Sequence, residues 1–191
     1  MNIVITLPHE LIQAILDGKK TVEVRSQIPK DFHKECDVVY VVEKGTKTCP
    51  LYFSIWYFKG FNDPGHAFMA AKDKAYVNER WLSDYLQKCY NPVLWHIGRV
   101  CPIVYTSVKY RRLRISRNPQ NFCYTDLDVT NVETKDCFWS KDMPENIHYL
   151  VYYPDKHYDY FMKFAEAGAP MPWEDYCRTY DIPHNCRGIQ L

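Results

Sequence analysis

Chemistry is concentrated in the stretch Gly18-Lys19-Lys20-Thr21-Val22-Glu23-Val24-Arg25. Alternation along a strand puts Thr21, Glu23 and Arg25 on one face and Val22 and Val24 on the other. A carboxylate and a guanidinium fork two residues apart, beside the ammonium of Lys20, can read the edge of a polar ring or hold a phosphate. The same pattern also suits a solvated strand face, where exposed ion pairs contribute little. A second concentration is the basic strip Lys109, Arg111, Arg112, Arg114 and Arg117, free of acids and interleaved with Tyr110, Leu113 and Ile115. Read as an edge or protruding strand, it is suited to phosphate contacts or serves as a solubilising edge.

These residues must be carried by local elements. Residues 2–6 read as a strand, after which Thr6 can cap a helix with Pro8 and Glu10 in its first turn. Leu11, Ile12, Ile15 and Leu16 share an apolar face, and Gly18 comes next, where a left-handed C-terminal residue is needed. Strands are expected at 21–25, 37–42, 51–58, 93–97 and 102–110, and a helix at 72–90 after the turn cluster Asn62-Asp63-Pro64-Gly65. Few crossover helices among many strands favour an α+β fold, a small mixed or mainly antiparallel barrel flanked by helices.

The texture changes near residue 126. Residues 126–145 hold six acids against Lys135 and Lys141 and read as a surface excursion. Beyond it, a strand is expected at 149–153 and helices at 155–167 and 173–180, rich in aromatic residues that would dock on the barrel. The division is therefore a domain at 1–125 and an extension at 126–191, which could also meet a protein partner.

A formal net charge of +1 gives no global pull toward nucleic acid, so such binding must rest on a local patch. Aromatic residues at 16% favour strands and also offer flat faces for stacking. The opening residues lack a basic segment before their apolar run, and no stretch is long and apolar enough to span a bilayer, so a cytoplasmic protein without a membrane partner is expected. The eight cysteines contain no C-x-x-C pair and are expected to be reduced and packed. Cys177, His184 and Cys186 do not have a familiar zinc spacing, so neither metal nor cofactor is expected.

Gly18, Lys20, Glu23 and Arg25 together resemble the G-x-K-x-x-E-x-R signature of ASCH domains, and residues 119–124 (PQNFCY) resemble the P-Q-S-[FY]-x-Y ending of many of them, with Asn121 where Ser is usual. The resemblance covers roughly residues 1–125. It implies a PUA-like barrel whose cleft, between the first helix and the sheet, is lined by Lys20, Glu23 and Arg25, with Gln120 and Tyr124 as weaker candidates. The implied ligand is RNA or a nucleoside or nucleobase-like molecule. Some small ASCH proteins are instead amidohydrolases that deacetylate acetylated cytidine with a Lys, a Thr and a Glu. Lys20 matches their lysine, Glu23 stands at the threonine position with Thr21 on the same face, and Glu79 is the nearest candidate carboxylate. Glu23 beside Lys20 is expected to favour the ammonium, which ranks binding above hydrolysis.

Overall fold

The computed structural model describes residues 1–34, 36–104 and 110–143. The expected elements at 149–153, 155–167 and 173–180, and the group Cys177, His184 and Cys186, lie outside the described residues.

Two strands built almost wholly of β-branched residues form the middle of the sheet. β1 (Asn2–Leu7) and β3 (Val38–Glu43) pair in parallel, Ile3 opposite Val39 and Ile5 opposite Val41. Both are buried on both faces, which is why they read as continuous apolar runs rather than alternating ones. Ile3, Ile5, Val39 and Val41 face one core with Ile12 and Ile15 of α1 (His9–Leu16), while Val4, Val38, Tyr40 and Val42 face another. The remaining pairings are antiparallel. Around β4 (Leu51–Gly60) and β5 (Val93–Pro102), β2 (Val22–Arg25) forms one edge and β6 (Cys123–Thr125) the other, in the order β2-β5-β4-β3-β1-β6. The short β7 (Phe138–Trp139) adds to β5 beside β2. The result is a curled half-barrel of α+β type.

A third apolar cluster covers the β2 edge, where Val22, Val24 and Leu94 meet Ala67 and Ala71 of α2 (Pro64–Ala71) and Leu82 and Leu86 of α3 (Glu79–Lys88). The valines of β2 therefore face a helical layer, which turns Glu23 and Arg25 to the opposite side.

Several sequence expectations change. Thr6 stays in β1 opposite Val42, and Pro8 occupies the cap position of α1 without a side-chain cap bond. The single helix expected at 72–90 is two helices, because the turn cluster is itself a helix start: the Asp63 side chain accepts from His66 N at 2.7 Å, with Pro64 in the first turn. The link between them carries Tyr76 at φ 53°, and Asn78 caps α3. The strand expected at 93–97 runs on to Pro102 as β5, while most of the strand expected at 102–110 lies outside the described residues. Gly98 lets it run through, since a Cβ there would sit 2.7 Å from Ser54 Oγ, the atom that accepts from Arg99 N.

The basic strip is not a strand where it is described. Tyr110–Leu113 is a helical turn, α4, and Arg114 has φ 54°. Nor is the acidic stretch beyond 125 a simple surface excursion: Leu127, Val132 and Met143 are buried, a 3-10 turn forms at Val129–Asn131, and β7 joins the sheet. Cys101 of β5 and Cys137 just before β7 are joined in a disulfide, where reduced thiols were expected; their Cα atoms lie 4.4 Å apart.

Candidate functional site

Gly18, at φ 65°, ends α1 in the left-handed conformation, and the amides of Lys19 and Lys20 both donate back to Ala14 O. This turn delivers Lys20 to the start of β2. Register against β5 then places Glu23 opposite Trp95 and Arg25 opposite Val93, on the side away from α2 and α3.

The three charged side chains are almost sealed from solvent and joined to one another. Lys20 Nζ lies 2.9 Å from Glu23 Oε2, and Arg25 Nη2 lies 2.9 Å from Glu23 Oε1. Lys20 also donates to Val22 O and Ala75 O, each at 2.8 Å, so all three ammonium hydrogens have acceptors. Arg25 Nη1 donates to Asn121 O at 2.9 Å and its guanidinium lies 5.9 Å from the Trp95 ring, but its buried Nε has no partner.

Burial pulls Lys20 below its ordinary range and outweighs the opposing charge of Glu23, the reverse of the sequence expectation. Burial pushes the Glu23 carboxyl up, but the charges of Lys20 and Arg25 overcome it and hold the group below its ordinary value.

This trio forms the floor of a cavity of about 730 Å³. Thr6 and Leu7 at the end of β1, with Pro8 and Leu11 of α1, make one wall. The opposite wall is the 75–78 link together with Trp81 and Tyr85 of α3, and Gln120 and Asn121 border it from the segment before β6. The volume lies within the range of about 300–1,000 Å³ usual for small-ligand sites. Trp81 and Tyr85 stack with ring centroids 5.2 Å apart and planes 9° apart. Burial pushes the Tyr85 phenol up to about 12, keeping it neutral. The charged lining residues are Lys20, Arg25 and Lys44 against Glu10 and Glu23, an excess of one positive charge.

Of the residues singled out by sequence, Lys20, Glu23, Arg25 and Gln120 border this cavity. Thr21, Glu79 and Tyr124 are not among its lining residues. Thr21 is buried and its hydroxyl donates to Asp142 Oδ2 at 2.5 Å, with Lys74 Nζ 3.2 Å from the same oxygen. Glu79 is exposed in the first turn of α3. The hydroxyl of Tyr124 accepts from Asp31 N at 3.4 Å, and its ring packs edge-on against Phe122. The basic strip is elsewhere too. Arg112 donates to Asn131 O at 2.7 Å, Arg114 pairs with Asp126 at 2.5 Å, and Arg117 is exposed; none of these three borders the cavity. Lys109 lies outside the described residues, and Arg111 falls within α4.

Sequence reasoning missed Thr6, Lys44, Tyr76 and the Trp81–Tyr85 pair as lining residues. The last left a trace: Trp81 and Tyr85 repeat four apart, one position ahead of Leu82 and Leu86, so α3 carries two adjacent apolar rows where one would suffice to bury it.

No family model and no curated protein matches the chain. Among solved structures, it is similar to the ASCH protein from Zymomonas mobilis, at 20% identity and a TM-score of 0.55, over 64% of this chain and 86% of that one. Two single-residue mutants of the same Zymomonas protein match at the same identity and TM-score, with 87% and 88% of their chains covered.

Proposed function

We propose that this protein, with an ASCH-type, PUA-like fold and a buried charged trio lining its cavity, binds RNA or a nucleobase-bearing ligand through the Lys20–Glu23–Arg25 cleft. The observation that carries the reading is that the buried, mutually paired Lys20, Glu23 and Arg25 line one cavity together with the stacked rings of Trp81 and Tyr85. A base edge offers ring nitrogens and carbonyl oxygens in one plane, the acceptors an arginine fork matches best. The aromatic wall and the one-charge positive excess suit a flat, anionic ligand.

Lys20 serves this reading as a positioning residue. Its ammonium ties β2 to the 75–78 link and holds Glu23, which in turn orients Arg25. The alternative, removal of an acyl group from acetylated cytidine, draws on the lowered Lys20 pKa, since a nucleophilic lysine must lose its proton. The three acceptors around Lys20 favour the ammonium, and Thr21 and Glu79 do not border the cavity with it. Binding is therefore the better-supported reading.

Titration of the protein with a labelled single-stranded RNA tests this. Arg25→Ala is expected to weaken affinity at least ten-fold, and an unchanged affinity would remove the cleft from the account. The alternative predicts that N4-acetylcytidine is deacetylated by the protein and not by its Lys20→Ala variant.

A further inference from the structure

The wall of the cavity formed by α3 and the link before it has more aromatic surface than one enclosed base needs. Trp81 is 53% exposed and Tyr76 50% exposed, although both border the cavity. One face of the Trp81 ring is already backed by Tyr85, in parallel and 5.2 Å away, so the indole is held flat. Tyr76 is held at φ 53°, a conformation a bulky residue adopts only when its surroundings impose it. Those surroundings include the preceding residue: Ala75 O accepts from Lys20 Nζ, and Ala75 N donates to Ala71 O. The group that orients Arg25 through Glu23 thus also fixes the link that presents Tyr76.

We infer that Trp81, backed by Tyr85 and flanked by Tyr76, is a stacking step for a second base, so that the ligand is a single-stranded RNA with at least two consecutive unpaired bases. The inference rests on the base-binding reading of the cleft. One base enters the cavity against Arg25, and its neighbour lies on the open face of Trp81. Flat, pre-oriented rings bind bases whatever their identity, because every base has a π face. A paired base within a helix is stacked on both sides and offers no face to such a ring, which excludes duplex as the ligand. Lys44, exposed on the cavity wall and not engaged in any of the ion pairs around Lys20, supplies a cation for the intervening phosphate.

The test compares a fluorescein-labelled random-sequence RNA hexamer with the four nucleoside 5′-monophosphates, on the wild-type chain and on Trp81→Ala, Trp81→Phe and Arg25→Ala. Trp81→Ala is expected to weaken the hexamer about ten-fold or more beyond any loss it causes for the monophosphates, and Trp81→Phe to retain most of the hexamer affinity. Arg25→Ala is expected to weaken both ligands. Quenching of indole fluorescence by the hexamer is expected in the wild type and to be smaller in Trp81→Phe. Because Trp81 is half exposed, its replacement is compatible with folding, which thermal unfolding of the variant verifies. If the hexamer and the monophosphates weaken equally in Trp81→Ala, or neither changes, the second-base step is wrong while the cleft reading stands. If the wild type binds neither ligand, the cleft reading itself fails and takes this inference with it.

Discussion

Glu23 neutralises two cations at once inside a nearly closed site, so its charge is needed for stability as well as for shape. Glu23→Gln leaves Lys20 and Arg25 buried without a counter-charge and is expected to destabilise the fold by about 3 kcal/mol, measured by urea unfolding at neutral pH. The pH dependence comes from the direction of the shift. Because the carboxyl is held below its ordinary value of 4.5, its contribution is fully present above pH 4.5 and is lost as pH falls through the lower folded value. The acid limb of the stability curve should therefore be shallower in Glu23→Gln. His96 gives a second, separable signature. Burial, reinforced by the charge of Lys74, pulls it down to about 4 from 6.5. The unfolded chain thus binds the proton more readily between those values, and stability falls as pH drops through that window. Between pH 7.5 and pH 5 the loss attributable to His96 is about 2 kcal/mol. His96→Phe, which keeps a ring against Trp56 and Tyr57, should lack it.

Among the elements, β5 has the tightest steric requirement, where it passes Ser54 without a side chain at Gly98. Gly98→Ala brings a Cβ to 2.7 Å from Ser54 Oγ and 3.4 Å from its carbonyl oxygen. A loss of about 1–3 kcal/mol is expected in chemical denaturation, with Ser54→Ala recovering part of it in the double variant. The same strand shows why sequence reading ended it early. Gly98 and Arg99 interrupt an apolar run and read as a break, whereas the reason for glycine is Ser54 on a neighbouring strand remote in sequence. The trio of Lys20, Glu23 and Arg25 was legible because every determinant is local: a helix stop at Gly18, then alternation. The basic strip was misread because Tyr110, Leu113 and Ile115 have strand-forming side chains, and the helical turn at Tyr110–Leu113 is set by packing of Leu113 against β1 and β3 residues. For Asn62-Asp63-Pro64-Gly65, the residue types that make turns also cap helices, and the two outcomes differ only in whether the next residues, here His66 to Ala71, continue as a helix. Trp81 and Tyr85 were not singled out as site residues, because an apolar row on a helix announces burial without saying against what.

At the scale of the molecule, the Cys101–Cys137 bridge closes a loop with a sequence separation of 36 and pins β7 to the far half of β5. Pairing of these two cysteines among eight could not be read from spacing. Opening it with Cys137→Ser is expected to lower stability by about 3–4 kcal/mol, by the entropy returned to the unfolded chain. Thermal unfolding should show a matching drop for the wild type in reductant, and none for the variant. Arg25 and Asn121, whose contact closes the floor of the cleft, are 96 positions apart, and β6 must arrive to cover β1 at the opposite end of the described chain. Contacts of such separation form slowly, because the intervening chain has to be gathered before they return any free energy. During synthesis, an emerging polypeptide can build α1, β2 and the β3–β4 hairpin while the hollow still lacks a side. On the proposed binding reading, a product truncated before residue 121 is therefore expected to keep the charged trio and to lose affinity for RNA, because the segment that borders the hollow on that side is missing.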